Sequence, residues 1–223
     1  MTIKLLIQAI SKFIIGFLVL ALILFVSAGT LGFWNAWVFL GILFVPMLIA
    51  GVVLIFRSPA LLRKRLNAKE KENEQKIVVI LSMIMFLAAF IIAGLNYRFG
   101  WLTLPRWAVW TFAFVFLLGY IMYAEVLKEN EYLSRTIEVQ KGQKVVDTGM
   151  YGVIRHPMYS STLIMFISMG GVLGSPISLA ILLLYIPIIA KRIRNEESVL
   201  IEGLEGYREY RKKVRYKIIP FIW

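Results

Sequence analysis

The chain has 223 residues, 60% of them hydrophobic, and a mean hydropathy of +0.77. A soluble domain carries roughly 45–50% apolar residues, so a soluble fold of this size could not bury so much apolar surface, and the integral membrane class remains. The net charge of +12, from 25 Lys+Arg against 13 Asp+Glu, reads as basic loops beside a membrane rather than as a nucleic-acid footprint. The absence of cysteine excludes disulfides, thiolate metal sites and cysteine nucleophiles. A single histidine, His156, excludes a histidine metal cluster or relay pair, and no metal is expected. Six passes of about 20 residues would use about 120, which leaves no room for a separate Rossmann domain.

The first apolar run covers about Phe13–Phe33, with Lys4 and Lys12 before it. A signal peptide is the alternative. The run is longer than a usual h-region and no polar cleavage region follows, so a retained helix is expected. Further runs cover Ala36–Phe56, Ile77–Leu95 and Trp107 to about Leu127. Trp34, Trp37, Trp101, Trp107 and Trp110 stand at run ends, as interfacial aromatics do. Between the second and third runs, Arg57–Lys76 carries mixed charge. It reads as a solvated helical connector touching anionic headgroups, with lipid-substrate recognition as the minor alternative.

The stretch Ser161–Ala190 is apolar but broken by Gly170, Gly171, Gly174 and Pro176. Gly and Pro interrupt local structure. Two helices are expected, about Ser161–Leu173 and Pro176–Arg194, joined by a tight turn as a short or tilted hairpin. One long kinked helix is the alternative, and charge decides against it. With the hairpin, 23 of the 25 basic residues and all 13 acids lie on one side, and only Arg98 and Arg106 on the other. Under the positive-inside rule both termini and both long loops are cytoplasmic. The expected fold is therefore an all-α integral membrane protein of about six segments. Residues 1–127 form four transmembrane helices, and 128–223 form a cytoplasmic-facing catalytic region.

Polar signals concentrate in that second part. Arg155-His156-Pro157 marks a helix entry. Alone it also fits a helix cap with a headgroup-binding arginine. Arg192 and Glu196 are i,i+4 and share a helix face. As a surface ion pair they would contribute little. The adjacent Glu196 and Glu197 have no evident structural use there, whereas a positively charged ligand would explain them. Tyr207 and Tyr210 among Arg211, Lys212, Lys213 and Arg215 read as an amphipathic helix lying on the membrane surface.

In order, RHPMY at 155–159, RIRNEESVL beginning at Arg192, GYREYRKKV beginning at Gly206, and a closing IIPFIW resemble the isoprenylcysteine carboxyl methyltransferase (ICMT) family. That family includes related membrane methyltransferases acting on phospholipid amines and small thiols. The resemblance covers about Asn130–Trp223. It implies S-adenosylmethionine, giving S-adenosylhomocysteine, bound without a Rossmann domain. It assigns to the cofactor Gln140, Gln143, Lys144, Val145, Val146, Tyr151, Arg155, His156, Pro157, Met158, Tyr159, Glu196 and Glu197. Arg192 would face the substrate, and Arg192, Glu196 and His156 would carry catalysis. Gln143 stands where eukaryotic members often have His and is typical of prokaryotic relatives, which implies a prokaryotic cytoplasmic membrane.

Methyl transfer needs an aligned acceptor, methyl and leaving sulfur, and positioning supplies much of its acceleration. It needs no cysteine, metal or relay. A lipophilic or prenylated acceptor would arrive from the bilayer. A carboxylate acceptor needs no base; an amine or thiol would make His156 or Glu196 a candidate base. The alternative is an NADPH-dependent membrane sterol or steroid reductase, whose tail has a similar RHPxY-like element.

Overall fold

The computed structural model describes residues 3–66, 73–134 and 136–223. The described residues form helices and loops without a β-strand; a single parallel bridge joins Ile154 to Tyr216. The elements are α1 (Ile3–Ala28), α2 (Trp34–Arg57), α3 (Pro59–Leu66), α4 (Asn73–Phe99), α5 (Arg106–Glu129), a 3₁₀ turn (Gly149–Gly152), α6 (Pro157–Val172), α7 (Pro176–Leu182), α8 (Tyr185–Gly203) and α9 (Tyr207–Lys213).

Among the described residues, five segments are long and apolar enough to cross a membrane: Leu5–Ala28, Trp34–Arg57, Gln75–Phe99, Arg106–Glu129 and Pro176–Gly203. Their outer faces carry large apolar side chains such as Leu22, Met83 and Ile121, each more than 60% exposed. Water-facing side chains of this size would each forfeit roughly 1.5–3 kcal/mol of burial. A bilayer removes that cost, and the chain is an integral membrane protein. Inside, Leu24, Phe39, Phe116, Val172, Ile189 and Ile193 belong to one core. α1 joins it through Leu24, Phe25 and Ala28, packed against α4.

The expected hairpin forms with one added break. α6 is 16 residues, shorter than the other spans. Its outgoing partner is interrupted between Leu182 and Tyr185, so the single predicted helix from Pro176 is α7 followed by α8. The turn has local causes. Gly174 takes φ +71°, a conformation that L side chains rarely adopt. Ser175 caps α7 by accepting the Ser178 N–H at 3.2 Å, with Pro176 in the first helical turn. At Gly171 a Cβ would lie 2.1 Å from the Phe112 ring, so only glycine lets α6 press against α5.

The tips of the bundle sort into two ends. At one, Tyr97 donates to the Gly32 carbonyl at 2.9 Å, and the Leu104 N–H donates to Gly174 at 3.0 Å. At the other, α3, the segment 130–156, the polar half of α8, α9 and the C-terminal tail come together. The tail buttresses the start of α6. Arg155 and His156 N–H groups donate to the Tyr216 and Lys217 carbonyls at 2.9 and 2.8 Å, and Ser160 Oγ donates to the Ile218 carbonyl at 2.6 Å.

Candidate active site

A cleft of about 830 Å³, open solvent at its mouth included, lies at that second end. Eleven of the expected site residues line it: Gln143, Lys144, Val145, Val146, Tyr151, Arg155, His156, Met158, Tyr159, Arg192 and Glu196. They come from the loop, the 3₁₀ turn, the first turn of α6 and the polar half of α8.

Three expected residues are not on its wall. Pro157 is the first residue of α6 and sets the helix entry. Gln140 is a loop strut: its Nε2 donates to the Tyr132 carbonyl at 2.6 Å, and its N–H donates to Gln143 Oε1 at 2.9 Å. Glu197 points away from the cleft into the protein and is 5% exposed.

The two adjacent glutamates therefore separate. Successive helical residues are about 100° apart around the axis, so they cannot share one target. Glu197 Oε1 lies 2.7 Å from Arg155 Nε and 3.4 Å from His156 Nε2, and its Oε2 lies 3.4 Å from Lys217 Nζ. It ties the start of α6 to the tail. Of the two acids expected to answer a cationic ligand, Glu197 already has three cationic or imidazole neighbours within the protein. Arg155 is equally committed. Its Nη1 donates to the Val214 and Arg215 carbonyls, both at 2.7 Å. Its guanidinium is a brace, although the residue touches the cleft.

Glu196 faces the cleft. The Tyr159 hydroxyl donates to Glu196 Oε2 and accepts from Arg192 Nε at 3.0 Å. Tyr159 thus stands between the i,i+4 pair. The Arg192 guanidinium also sits 6.0 Å from the Tyr159 ring centre. His156 precedes α6 without capping it through its side chain. Its ring stacks near Tyr159 at 5.7 Å, with Nδ1 3.9 Å from Glu196 and Nε2 turned to Glu197.

Also lining the cleft, Tyr151 is held at both ends: Asn130 Nδ2 donates to its hydroxyl at 2.9 Å, and the Tyr210 hydroxyl donates to its carbonyl at 2.7 Å. Burial pushes the Tyr151 hydroxyl up to about 12 from its ordinary 10.0, and raises Tyr207 and Tyr210 as well.

Two expectations about the surroundings change. α9 does not lie with its apolar face on lipid. Tyr207, Tyr210 and Val214 are buried with Leu204 against Val139, Val145, Leu200 and Ile201, and the charged side chains between them are exposed. Both tyrosines line the cleft. Their i,i+3 spacing was visible, but its target was not.

The Arg57–Lys76 connector is more than a solvated link. Residues 67–72 of it lie outside the described residues, but Arg65 on α3 reaches the cleft wall. Its Nη1 donates to the Ser134 carbonyl at 3.3 Å and approaches Met158 Sδ at 3.9 Å, and its Nη2 donates to the Tyr123 hydroxyl. Sequence reasoning also missed the wall segment containing Asn130, Tyr132, Leu133, Ser134, Thr136, Ile137 and Glu138. It has no helical or strand period to mark it.

Residues 110–202 match the model of the isoprenylcysteine carboxyl methyltransferase family. Among curated proteins, the mouse Delta(14)-sterol reductase TM7SF2 is 30% identical over 95 residues, covering 40% of this chain and 22% of the reductase. The match thus spans about a fifth of that relative's length. Among solved structures, the eukaryotic intramembrane Ras methyltransferase ICMT, without a monobody, superposes with a TM-score of 0.58 at 19% identity. That match covers 96% of this chain and 77% of the other. The fold is ICMT-like.

Proposed function

We propose that this ICMT-like membrane protein is an S-adenosylmethionine-dependent methyltransferase acting on a lipophilic acceptor, with an isoprenylcysteine-type carboxylate as the leading class. The observation that carries the reading is the Arg192–Tyr159–Glu196 constellation on the wall of a cleft also lined by Gln143, Lys144, Val145, Val146 and Tyr151, which the resemblance assigns to the cofactor. S-adenosylmethionine, when bound, supplies a methyl group activated by a sulfonium.

The residues fit such a group. Glu196 offers a partly exposed carboxylate to a cation, and the Tyr151 and Tyr159 rings offer aromatic faces. Val145, Leu200 and Leu204 offer an apolar wall for a flat base. Arg192 binds and orients an acceptor carboxylate through its planar fork. Tyr159 sets the spacing between Arg192 and Glu196. His156, held beside Glu197, acts as a wall that keeps Tyr159 stacked in place. A carboxylate acceptor requires no proton removal, so orientation is the main contribution of these side chains.

The catalytic unit is the region 128–223, carried on the helices of 1–127. Basic residues concentrated at the cleft's end of the bundle support a cytoplasmic site with cytoplasmic termini. The acceptor enters from the bilayer and the cofactor from water.

The 95-residue likeness to a sterol reductase supports a second reading, NADPH-dependent reduction. Calorimetry on detergent-purified protein separates the two. Binding of S-adenosylmethionine or S-adenosylhomocysteine without NADPH is expected. Binding of NADPH alone would replace the first reading with the second.

A further inference from the structure

The two sides of α3 are unlike. Leu61 and Leu62 are buried in the protein. Beside them, Lys64 Nζ donates to the Glu131 carbonyl at 3.1 Å and Arg65 Nη1 to the Ser134 carbonyl at 3.3 Å. This side grips the loop whose Tyr132, Leu133 and Ser134 line the cleft. On the outward side Arg63 is exposed, as is Arg57 at the end of α2. Among the described residues neither has a hydrogen bond or ion pair within the chain. The segment 57–66 contains no acid that could reach them locally.

Two contacts fix the depth of α3. Lys12 Nζ donates to the Leu66 carbonyl at 2.6 Å, and Arg65 Nη2 donates to the Tyr123 hydroxyl. Lys12 and Tyr123 each stand about two turns, roughly 10 Å, inside an end of their apolar spans. Long side chains reach toward the water from such positions. α3 therefore lies along the boundary between headgroups and acyl chains, as interfacial helices do. Phe56, 79% exposed beside Arg57, marks that flank as lipid-facing. A guanidinium there loses water and has no acid of its own chain to replace it. A lipid phosphate fills that need, because it matches the planar fork of arginine.

We propose that Arg57 and Arg63 form a seat for the headgroup of an anionic phospholipid, and that an occupied seat holds α3 against the cleft loop. Net negative charge is what the seat fits. A zwitterionic headgroup carries its own ammonium and offsets its phosphate, whereas an anionic one leaves its charge for the two arginines. The inference does not rest on the methyltransferase reading, since neither lipid binding nor loop motion needs the cofactor.

Native mass spectrometry of the detergent-purified protein tests the seat, with phosphatidylglycerol and phosphatidylcholine of equal chain length as probes. A basic residue beside an anionic headgroup contributes roughly fivefold, so Arg57→Gln with Arg63→Gln should lower phosphatidylglycerol affinity about 25-fold and leave phosphatidylcholine affinity nearly unchanged. Arg57→Lys with Arg63→Lys keeps the charge and should recover most of the loss. Arg211→Gln with Lys212→Gln removes the same charge from exposed positions on α9 and should lose far less. An equal loss there, or none in the Arg57 and Arg63 pair, would overturn the proposal. Displacement of phosphatidylglycerol by an equal concentration of glycerol phosphate would also overturn it, because the site would then take a free phosphate rather than a lipid. In bilayer discs, hydrogen exchange across 130–138 should be slower with phosphatidylglycerol than with phosphatidylcholine alone, and the difference should vanish in the Arg57→Gln, Arg63→Gln protein. Exchange in the parent that is indifferent to the lipid would sink the link from the seat to the cleft loop.

Discussion

Arg155 Nε stands 2.7 Å from Glu197 Oε1, and both side chains are only about 5% exposed, whereas the neighbouring Glu196 opens onto the cleft. One carboxylate holds the start of α6 to α8 and to the tail. The other is available to a ligand. Breaking a buried pair leaves an uncompensated charge and costs about 3–5 kcal/mol. Glu197→Gln should therefore lower unfolding stability by about 3 kcal/mol or more, read by thermal or denaturant unfolding in detergent. Glu196→Gln should cost less than about 1 kcal/mol in stability and reduce S-adenosylhomocysteine affinity on the order of tenfold. Undiminished affinity in Glu196→Gln would remove that residue from the cofactor site.

Arg192 tests the acceptor assignment. Arg192→Lys keeps the charge but loses the planar fork and the Nε bond to Tyr159. With an isoprenylcysteine-type substrate, kcat should drop on the order of 10²-fold while the KM for S-adenosylmethionine stays near the parent value. A change confined to the S-adenosylmethionine KM would move Arg192 from the acceptor to the cofactor.

Arg65 acts at a distance from the chemistry, as a positioning residue. It links α3 to Ser134 of the cleft loop, to Met158 on α6 and to Tyr123 on α5. Arg65→Met preserves bulk and removes these bonds, and charged hydrogen bonds are worth about 1.5–3 kcal/mol. Hydrogen exchange across 130–138 should accelerate and the S-adenosylmethionine KM should rise more than kcat falls. Arg65→Lys should restore part of both. Unaltered exchange in Arg65→Met would show that the loop holds its shape without α3.

Tyr151, Tyr207 and Tyr210 set an alkaline limit. Burial raises all three, Tyr151 to about 12 from 10.0. A folded state that holds a proton more tightly than the unfolded chain is favoured fully below the unfolded value and loses that advantage as pH rises through the folded one. Their contribution should be constant below about pH 10 and should fall as pH rises above that, for Tyr151 up to about 12. Phenolate absorbance should appear together with loss of secondary structure for these three, rather than at pH 10 in the folded protein. Early phenolate signal from the folded state would show that these rings are reached by water.

The helices were legible because their signals are local. The four long apolar runs recur as α1, α2, α4 and α5 within a few residues, except that α1 begins well before Phe13. Gly174 and Pro176 marked the hairpin turn for reasons of φ and capping that need no tertiary contact. The break at Leu183–Leu184 was missed although Pro187 marks it: proline has no N–H for the Leu183 carbonyl, and its ring crowds that carbonyl. In the cleft, the residues on the RHPMY and RIRNEESVL segments could be picked out by type and spacing. The wall from Asn130 to Glu138 could not, since its residues share no period and meet only through the fold.

Composition alone determined that this chain lives in a bilayer, because burial of so much apolar surface is a bulk property of the residues present. Breakers and charge asymmetry determined the helix ends and which loops lie together. Only the tertiary structure decided which of Glu196 and Glu197 faces the cleft, because a helix turns about 100° per residue and the neighbours of α8 choose the face. It likewise decided that Arg155 braces the tail and that Arg65 crosses from α3 to the cleft. Each depends on distances between residues 33 to 93 positions apart or more, which spacing along one chain does not encode.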